Sequence, residues 1–307
     1  IDTTTEENGS FTRSGVPVGT QYVTVSRSDY EWVVSERLTV LSGEMTTTAV
    51  TLLKQLPPQL VSEEYGVLRG DAIYATSNSD GYAHIVPIDT PSNREAIESA
   101  TENVDGTRVQ VNANQPFSLN SELLDEGYYK IHVISDSGLV SAGETIVVLP
   151  HNLTYMEDTS ELVNYVGRWD SFSNPLYSGG TMMLARENGA YVDIPFYGVS
   201  AKLIADFHTS RGLANIYLNG ELVTTVDQYK RPIEYQQVIY ETGQLEEGVH
   251  VIRLEAAGVT TGSSAIIVSF DALDITLPDG MYEITDATAG VIVEGEEVGA
   301  VSSRDGT

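Results

Sequence analysis

Two stretches of this 307-residue chain gather side chains suited to holding a sugar. Asp206-Phe207-His208-Thr209-Ser210-Arg211-Gly212 offers Asp206, His208 and Arg211. Asp227-Gln228-Tyr229-Lys230-Arg231-Pro232-Ile233-Glu234-Tyr235-Gln236-Gln237 offers Asp227, Tyr229, Arg231 and Tyr235. A pyranose presents an apolar face and a rim of hydroxyls, so its recognition needs aromatic faces together with fixed polar groups. Trp169, Tyr177, Tyr229 and Tyr235 are the rings available for stacking. A glycan site predicts both stretches on one side of the fold, with Tyr229 or Tyr235 exposing a ring face beside Arg211 or Asp206. The bland alternative makes Trp169 and Tyr217 core residues and leaves Arg211 and Arg231 solvated.

Catalytic chemistry finds little support. No His-Glu-x-x-His, Gly-x-Ser-x-Gly or phosphate-binding glycine loop is present. With 44 Asp and Glu, a pair resembling a glycosidase acid and base arises from abundance alone. The five histidines are scattered, and His84 and His132 fall inside strand alternation, as hydrogen-bonded structural histidines do. No enzyme is expected. The absence of cysteine excludes disulfides, thiolate metal ligands and thiol nucleophiles. A formal charge of −28 argues against nucleic acid and anionic membranes, which need basic patches. No apolar run approaches the ~20 residues of a membrane span, so no membrane insertion is expected.

The elements that must position these residues repeat with period two. Arg108-Val109-Gln110-Val111, Lys130-Ile131-His132-Val133-Ile134, Ala214-Asn215-Ile216-Tyr217-Leu218 and Val249-His250-Val251-Ile252-Arg253-Leu254 alternate as strands. Turn dipeptides separate such runs: Asn8-Gly9, Asp80-Gly81, Asn188-Gly189, Asn219-Gly220 and Asp279-Gly280. Only Asn93–Thr101 and Ser121–Asp125 look locally helical. The expected class is all-β, with antiparallel β-sandwiches in tandem. Proline interrupts the pattern at Leu56-Pro57-Pro58, Leu149-Pro150-His151 and Leu277-Pro278, dividing the chain into 1–56, 57–149, 150–277 and 278–307. The first three predict separate sandwiches with separate cores in a fairly rigid row.

Residues 291–307 repeat residues 66–82 at a constant offset, 295 − 70 = 225. A lone hairpin cannot bury a core, so 278–307 reads as the incomplete start of a second copy of the 57–149 module, in a piece of a longer modular protein.

Three resemblances follow from longer motifs. Thr5-Glu6-Glu7-Asn8-Gly9-Ser10-Phe11 with Gly15-Val16-Pro17-Val18-Gly19-Thr20-Gln21-Tyr22-Val23-Thr24-Val25 resembles the carboxypeptidase-regulatory-like domain, a prealbumin-like sandwich, here lacking its opening strand. Phe11, Tyr22 and Val25 then face one core, and Trp32 is a core or junction residue before it is a sugar platform. Ala72–Pro87, Asp125–Val133 and Ser135–Ser141 resemble immunoglobulin-like modules of S-layer proteins and secreted glycosidases, with Gly127-Tyr128 at the corner where an aromatic packs back on the sandwich edge. Tyr165–Trp169, Tyr177–Thr181, Asn188–Gly198, Gly212–Gly220, Leu245–Leu254 and Phe270–Ile275 resemble the galactose-binding-like jelly roll common among carbohydrate-binding modules. That last resemblance implies structural calcium through oxygen ligands, with Glu157, Asp158 and Asp271 in the corresponding places; no other cofactor is expected.

The expected function is that of a non-catalytic segment of a large extracellular or cell-surface bacterial protein, an ancillary part of a secreted polysaccharide-degrading enzyme at most, presenting a jelly roll that binds polysaccharide. The alternative is a structural S-layer, adhesin or surface-filament segment whose partners are neighbouring modules or copies of itself.

Overall fold

The computed structural model describes residues 10–26, 33–52, 55–62, 64–102, 104, 106–262, 265–279, 292–293 and 296–297. Trp32 and Asn8-Gly9 lie outside them, as does most of the 291–307 repeat. Within that repeat, Ile292–Val293 pairs antiparallel with Glu296–Glu297. The protein is all-β, as its alternation requires, and among the described residues its strand pairs are antiparallel but for one. It divides into two compact units, Ile1–Pro57 and Pro58–Thr307.

In the first unit β1 (Gly19–Gln21) pairs with β4 (Leu38–Val40), and β2 (Thr24–Val25) with β3 (Val33–Val34). Ser35 ties the second ladder, its amide donating to the Val23 carbonyl at 2.7 Å and its hydroxyl accepting from the Val23 amide at 2.9 Å. Tyr22 does not join a core: it falls between β1 and β2 and is 61% exposed.

In the second unit, residues 58–149 form two facing sheets. One has the order β10-β7-β5, from β5 (Leu60–Val61), β7 (Ala72–Ser77) and β10 (Pro116–Asn120). The other runs β6-β12-β11-β8-β9, from β6 (Gly66–Leu68), β8 (Gly81–Pro87), β9 (Arg108–Val111), β11 (Gly127–Ser135) and β12 (Glu144–Leu149). Ile73, Leu119, Ile85, Ile131, Val133 and Val148 fill the space between them. Helix α1 (Arg94–Thr101) covers the second sheet from outside, its first turn closed by Asn93, whose side chain accepts from the Ala96 amide at 3.0 Å. Ser121–Asp125 is a turn instead of a helix, because the Ser121 hydroxyl leaves the local chain to bond the Asp71 carbonyl at 2.6 Å. Under α1, His84 and His132 are cross-strand partners and both are buried. The Thr101 hydroxyl donates to the Ile97 carbonyl, so His84 Nδ1 must donate to Thr101 Oγ1 at 2.8 Å. Burial first, and Arg108 second, push His84 down to about 4, so its ring stays neutral.

Residues 150–277 form the second sandwich. A four-stranded sheet has the order β13-β24-β18-β21, from β13 (Tyr155–Glu157), β18 (Ser200–Phe207), β21 (Glu234–Glu241) and β24 (Ala272–Thr276). A five-stranded sheet, β14-β17-β22-β19-β20, uses β14 (Asn164–Val166), β17 (Tyr191–Gly198), β19 (Leu213–Leu218), β20 (Glu221–Asp227) and β22 (Gly248–Gly258). A third sheet, β15-β16-β23, uses β15 (Trp169–Ser173), β16 (Thr181–Ala185) and β23 (Val268–Phe270). Asn219-Gly220 makes the β19–β20 turn with both residues at positive φ, 51° and 84°, which the twist of a two-residue hairpin demands.

The expectation of separate cores fails for these two sandwiches. β6 and β12 pair in parallel, Val148 with Val67 and Leu149 with Leu68. Along β12, Ile146 and Val148 point into their own sandwich, while Val147 and Leu149 point the other way and join Leu68 in the apolar cluster of residues 150–277. Tyr128, opposite Val147, follows them, and its hydroxyl donates to the Leu162 carbonyl at 3.0 Å. The corner expected of Tyr128 is made instead by Tyr129, whose hydroxyl donates back to the Asp125 carbonyl at 3.0 Å. A strand apolar on both faces has to bury both, and the neighbouring sandwich supplies the second cover.

One consequence is cooperative unfolding. Calorimetry should show residues 58–277 melting as a single transition, and Leu149→Ala should destabilise both sandwiches together by about 2–5 kcal/mol. Two well-separated transitions within residues 58–277 would contradict a shared core.

Candidate functional site

The two sequence stretches do lie side by side. The His208 amide donates to the Gln228 carbonyl at 3.0 Å, and the Gln228 amide donates to the Gly212 carbonyl at 3.1 Å. Their charges, however, do not face solvent. The β18–β21 ladder shifts register between Ala205 and Phe207, so Ala205 and Asp206 are both buried. Asp206, fully buried, accepts from Arg211 Nε at 2.8 Å and Nη2 at 2.8 Å, and Arg211 is itself only 4% exposed. Ser269 Oγ donates to Asp206 Oδ1 at 2.6 Å. Buried Gln228 clasps the Ser269 backbone from both ends of its amide, at 3.0 Å to the carbonyl and 2.8 Å from the amide.

Asp206 and Arg211 are therefore corrected from binding groups to an internal pair. Neither the glycan-facing nor the solvated reading of Arg211 holds, because its guanidinium is buried and its fork is taken up by both oxygens of Asp206. Tyr177 is corrected likewise. It is 7% exposed and clusters with Met182 and Leu184, against Tyr235 at 5.6 Å between ring centres. Tyr229 lays its ring over Gly262, where even a methyl group would come within 2.3 Å of the ring. Asp227 and Arg231 are exposed, and His208, Tyr229 and Tyr235 are half-buried. Asp227 is occupied locally, accepting from the Tyr229 amide at 2.9 Å, and His208 Nδ1 accepts from the Ser210 amide at 3.0 Å. The expected ring face beside Arg211 or Asp206 is not formed. Trp169 is half-buried against Tyr165, 5.1 Å between ring centres, and donates to the Val166 carbonyl.

Glu157, Asp158 and Asp271 come together where β13 ends. The Asp158 amide donates to the Asp271 carbonyl at 3.0 Å. Ser178 donates its amide to Asp271 Oδ1 at 2.9 Å and its hydroxyl to Glu157 Oε1 at 3.0 Å, while Thr181 donates to Asp158 Oδ1 at 2.8 Å. Each carboxylate thus has one oxygen satisfied. The other oxygen of each, Glu157 Oε2, Asp158 Oδ2 and Asp271 Oδ2, is buried with no partner. Burial above all, then the Asp158 and Glu157 charges, pushes Asp271 up to about 7. As placed, no three Asp, Glu or His side chains among the described residues close into a metal-holding group. The fit to a cation rests on the orphaned oxygens, since buried carboxylate atoms ordinarily have a proton donor or a metal beside them.

No family model matches the chain. Over 95 residues it is 38% identical to the A type blood alpha-D-galactosamine galactosaminidase of Flavonifractor plautii, which covers 31% of this chain and 9% of that protein. Over 99 residues it is 30% identical to the A type blood N-acetyl-alpha-D-galactosamine deacetylase of the same organism, covering 32% of this chain and 13% of that protein. Among solved structures, a Paenibacillus xanthan lyase overlaps 53% of this chain and 20% of its own, at 14% identity and a TM-score of 0.35. The chain spans about a tenth of the length of the curated relatives it matches, and those relatives are carbohydrate-active enzymes.

Proposed function

We propose that this chain is a non-catalytic, extracellular segment of a bacterial carbohydrate-active protein, and that its second fused sandwich, a jelly roll, holds polysaccharide. The observation that carries the reading is the 38% identity to a galactosaminidase over only 9% of that enzyme. A shared region so small against the whole suits an appended module, and the sequence carries no catalytic signature of its own. Proteins that act on polymers gain from modules that keep the polymer close, since a second binding event on one chain is effectively intramolecular.

Glu157, Asp158 and Asp271 belong to the same proposal as a structural calcium site. Three carboxylates form an all-oxygen donor set, which suits a hard cation. A bound ion would give the orphaned oxygens a partner once the three side chains turn toward it.

Two outcomes test these statements. In chelator, Asp271 keeps a proton that the unfolded chain has already lost, so stability should fall as pH rises from about 4 through 7. Asp271→Asn should flatten that dependence in denaturant titrations, and added calcium should raise the melting temperature of the parent but not of the variant. No calcium response in the parent would remove the cation. For the glycan, the 307-residue protein should be retained by at least one of immobilised N-acetylgalactosamine-terminated oligosaccharide, galactomannan and α-1,3-glucan. Retention by none, with ordered self-assembly at high concentration, would favour the structural alternative.

A further inference from the structure

The outer face of the five-stranded sheet carries groups that the fold does not need. Val192, Ile194, Ala214, Ile216, Ile252 and Leu254 turn inward to the core. By the two-residue period, their neighbours Tyr191, Asp193, Asn215, Tyr217, Arg253 and Glu255 turn outward. Tyr217 is thus not core. Register places Tyr191, Glu255, Asn215 and Thr225 in one row across β17, β22, β19 and β20. The next row holds Asp193, Arg253 and Tyr217.

Arg253 is held flat and still. Its Nε and Nη2 donate to Asp193 at 2.6 and 2.9 Å, and its guanidinium carbon lies 3.8 Å from the centre of the Tyr191 ring. Tyr217 is its register partner on the far strand, so ring, guanidinium and ring follow one another across three strands. Thr225 Oγ1 donates to Asn215 Oδ1 at 2.7 Å, which orients that amide with its nitrogen available. Cross-strand pairing explains the Asp193–Arg253–Tyr191 stack. It does not explain Tyr217, which makes no side-chain hydrogen bond among the described residues, or the oriented amide beside it. Asp227 stands two residues beyond Thr225 on the same side of β20, and at the opposite margin the face runs into the fused interface, where Tyr128 lies close enough to feel the Asp193 charge.

Resting on the polysaccharide reading above, we propose that Tyr191, Arg253 and Tyr217, with Glu255, Asn215 and Thr225 beside them, bind an extended uncharged polysaccharide laid across the strands. Two rings and a planar guanidinium offer the apolar faces, and the amide, carboxylate and hydroxyl offer partners for sugar hydroxyls. Four strands give a strip about 14 Å long, room for a short oligosaccharide. Arg253 is neutralised by Asp193, so the strip's remaining charge is that of Glu255, and in a chain of net charge −28 this turns polyanions away.

Affinity electrophoresis of the 307-residue protein in gels containing galactomannan, α-1,3-glucan or anionic xanthan tests this. The expected result is retardation by a neutral polymer, none by xanthan, and a loss of about tenfold or more in affinity for both Tyr191→Ala and Tyr217→Ala, with Tyr229→Ala unchanged. Tyr217→Ala leaves the Asp193–Arg253–Tyr191 stack intact and so keeps the test open if Tyr191→Ala fails to fold. Full retardation of folded Tyr217→Ala, loss confined to Tyr229→Ala, or preference for xanthan would overturn the strip while leaving polysaccharide binding standing. A parent protein retarded by no polymer would overturn both.

Discussion

Leu68, Val147 and Leu149 belong to one sandwich by sequence and to the other by burial. Everything in the 58–277 region is arranged around that fact. Because β12 is apolar on both faces, it cannot stand at a free surface, and the second sandwich has to lie against it. This covers the β17–β22 end near Pro195 and leaves open the end carrying Tyr191 and Arg253. The exposed half of the five-stranded sheet is therefore defined by what the neighbouring sandwich takes away. A linker alone would have left the whole face open and its surroundings variable.

The second sandwich buries carboxylates in two ways. Asp206 is matched by Arg211 and by the hydroxyl of Ser269, whose backbone Gln228 holds, and both carboxylate oxygens are accounted for. Such a group is an anchor, since removing one member strands the other in a low dielectric. Asp158, Asp271 and Glu157 share two hydroxyls and one amide, leaving three oxygens over. Both clusters were visible as acidic residues in suggestive places, yet their fates differ by one cation-bearing side chain. A chain with so few Lys and Arg cannot supply a fork to every buried acid, so the second cluster is left with demands that its own side chains do not meet.

The sequence made strand identity, turns and class legible, because alternation with period two and the dipeptides Asp80-Gly81 and Asn219-Gly220 are local signals. The helix at Arg94–Thr101 lies within Asn93–Thr101, one of the two stretches with a locally helical look, while the other, Ser121–Asp125, is a turn. Sheet order was not legible, and neither was the inward turn of Asp206, which depends on a register shift between β18 and β21 that no local pattern encodes. Loops rich in charges and tyrosines drew attention, although Asp206, Arg211 and Tyr177 are interior. Tyr191 and Arg253 read as ordinary strand residues, and Tyr217 as a core residue. The signal that could have found them was present: their parity is opposite to that of Val192, Ile194 and Leu254, so they had to face outward. The run Ile146-Val147-Val148-Leu149 likewise announced a strand buried on both sides.

The parallel pairing of β6 with β12 bears on how this region would carry a load. β6 lies near the entry of the chain into the 58–149 sandwich, and β12 ends at its exit. Tension applied through the two ends would drag these neighbouring strands past each other along their length. The hydrogen bonds between them would then be strained together, as in a sheared lap joint, whereas a hairpin pulled open from its two ends unzips rung by rung. The fused neighbour would share the strain through Leu68 and Leu149, which pack into its apolar cluster.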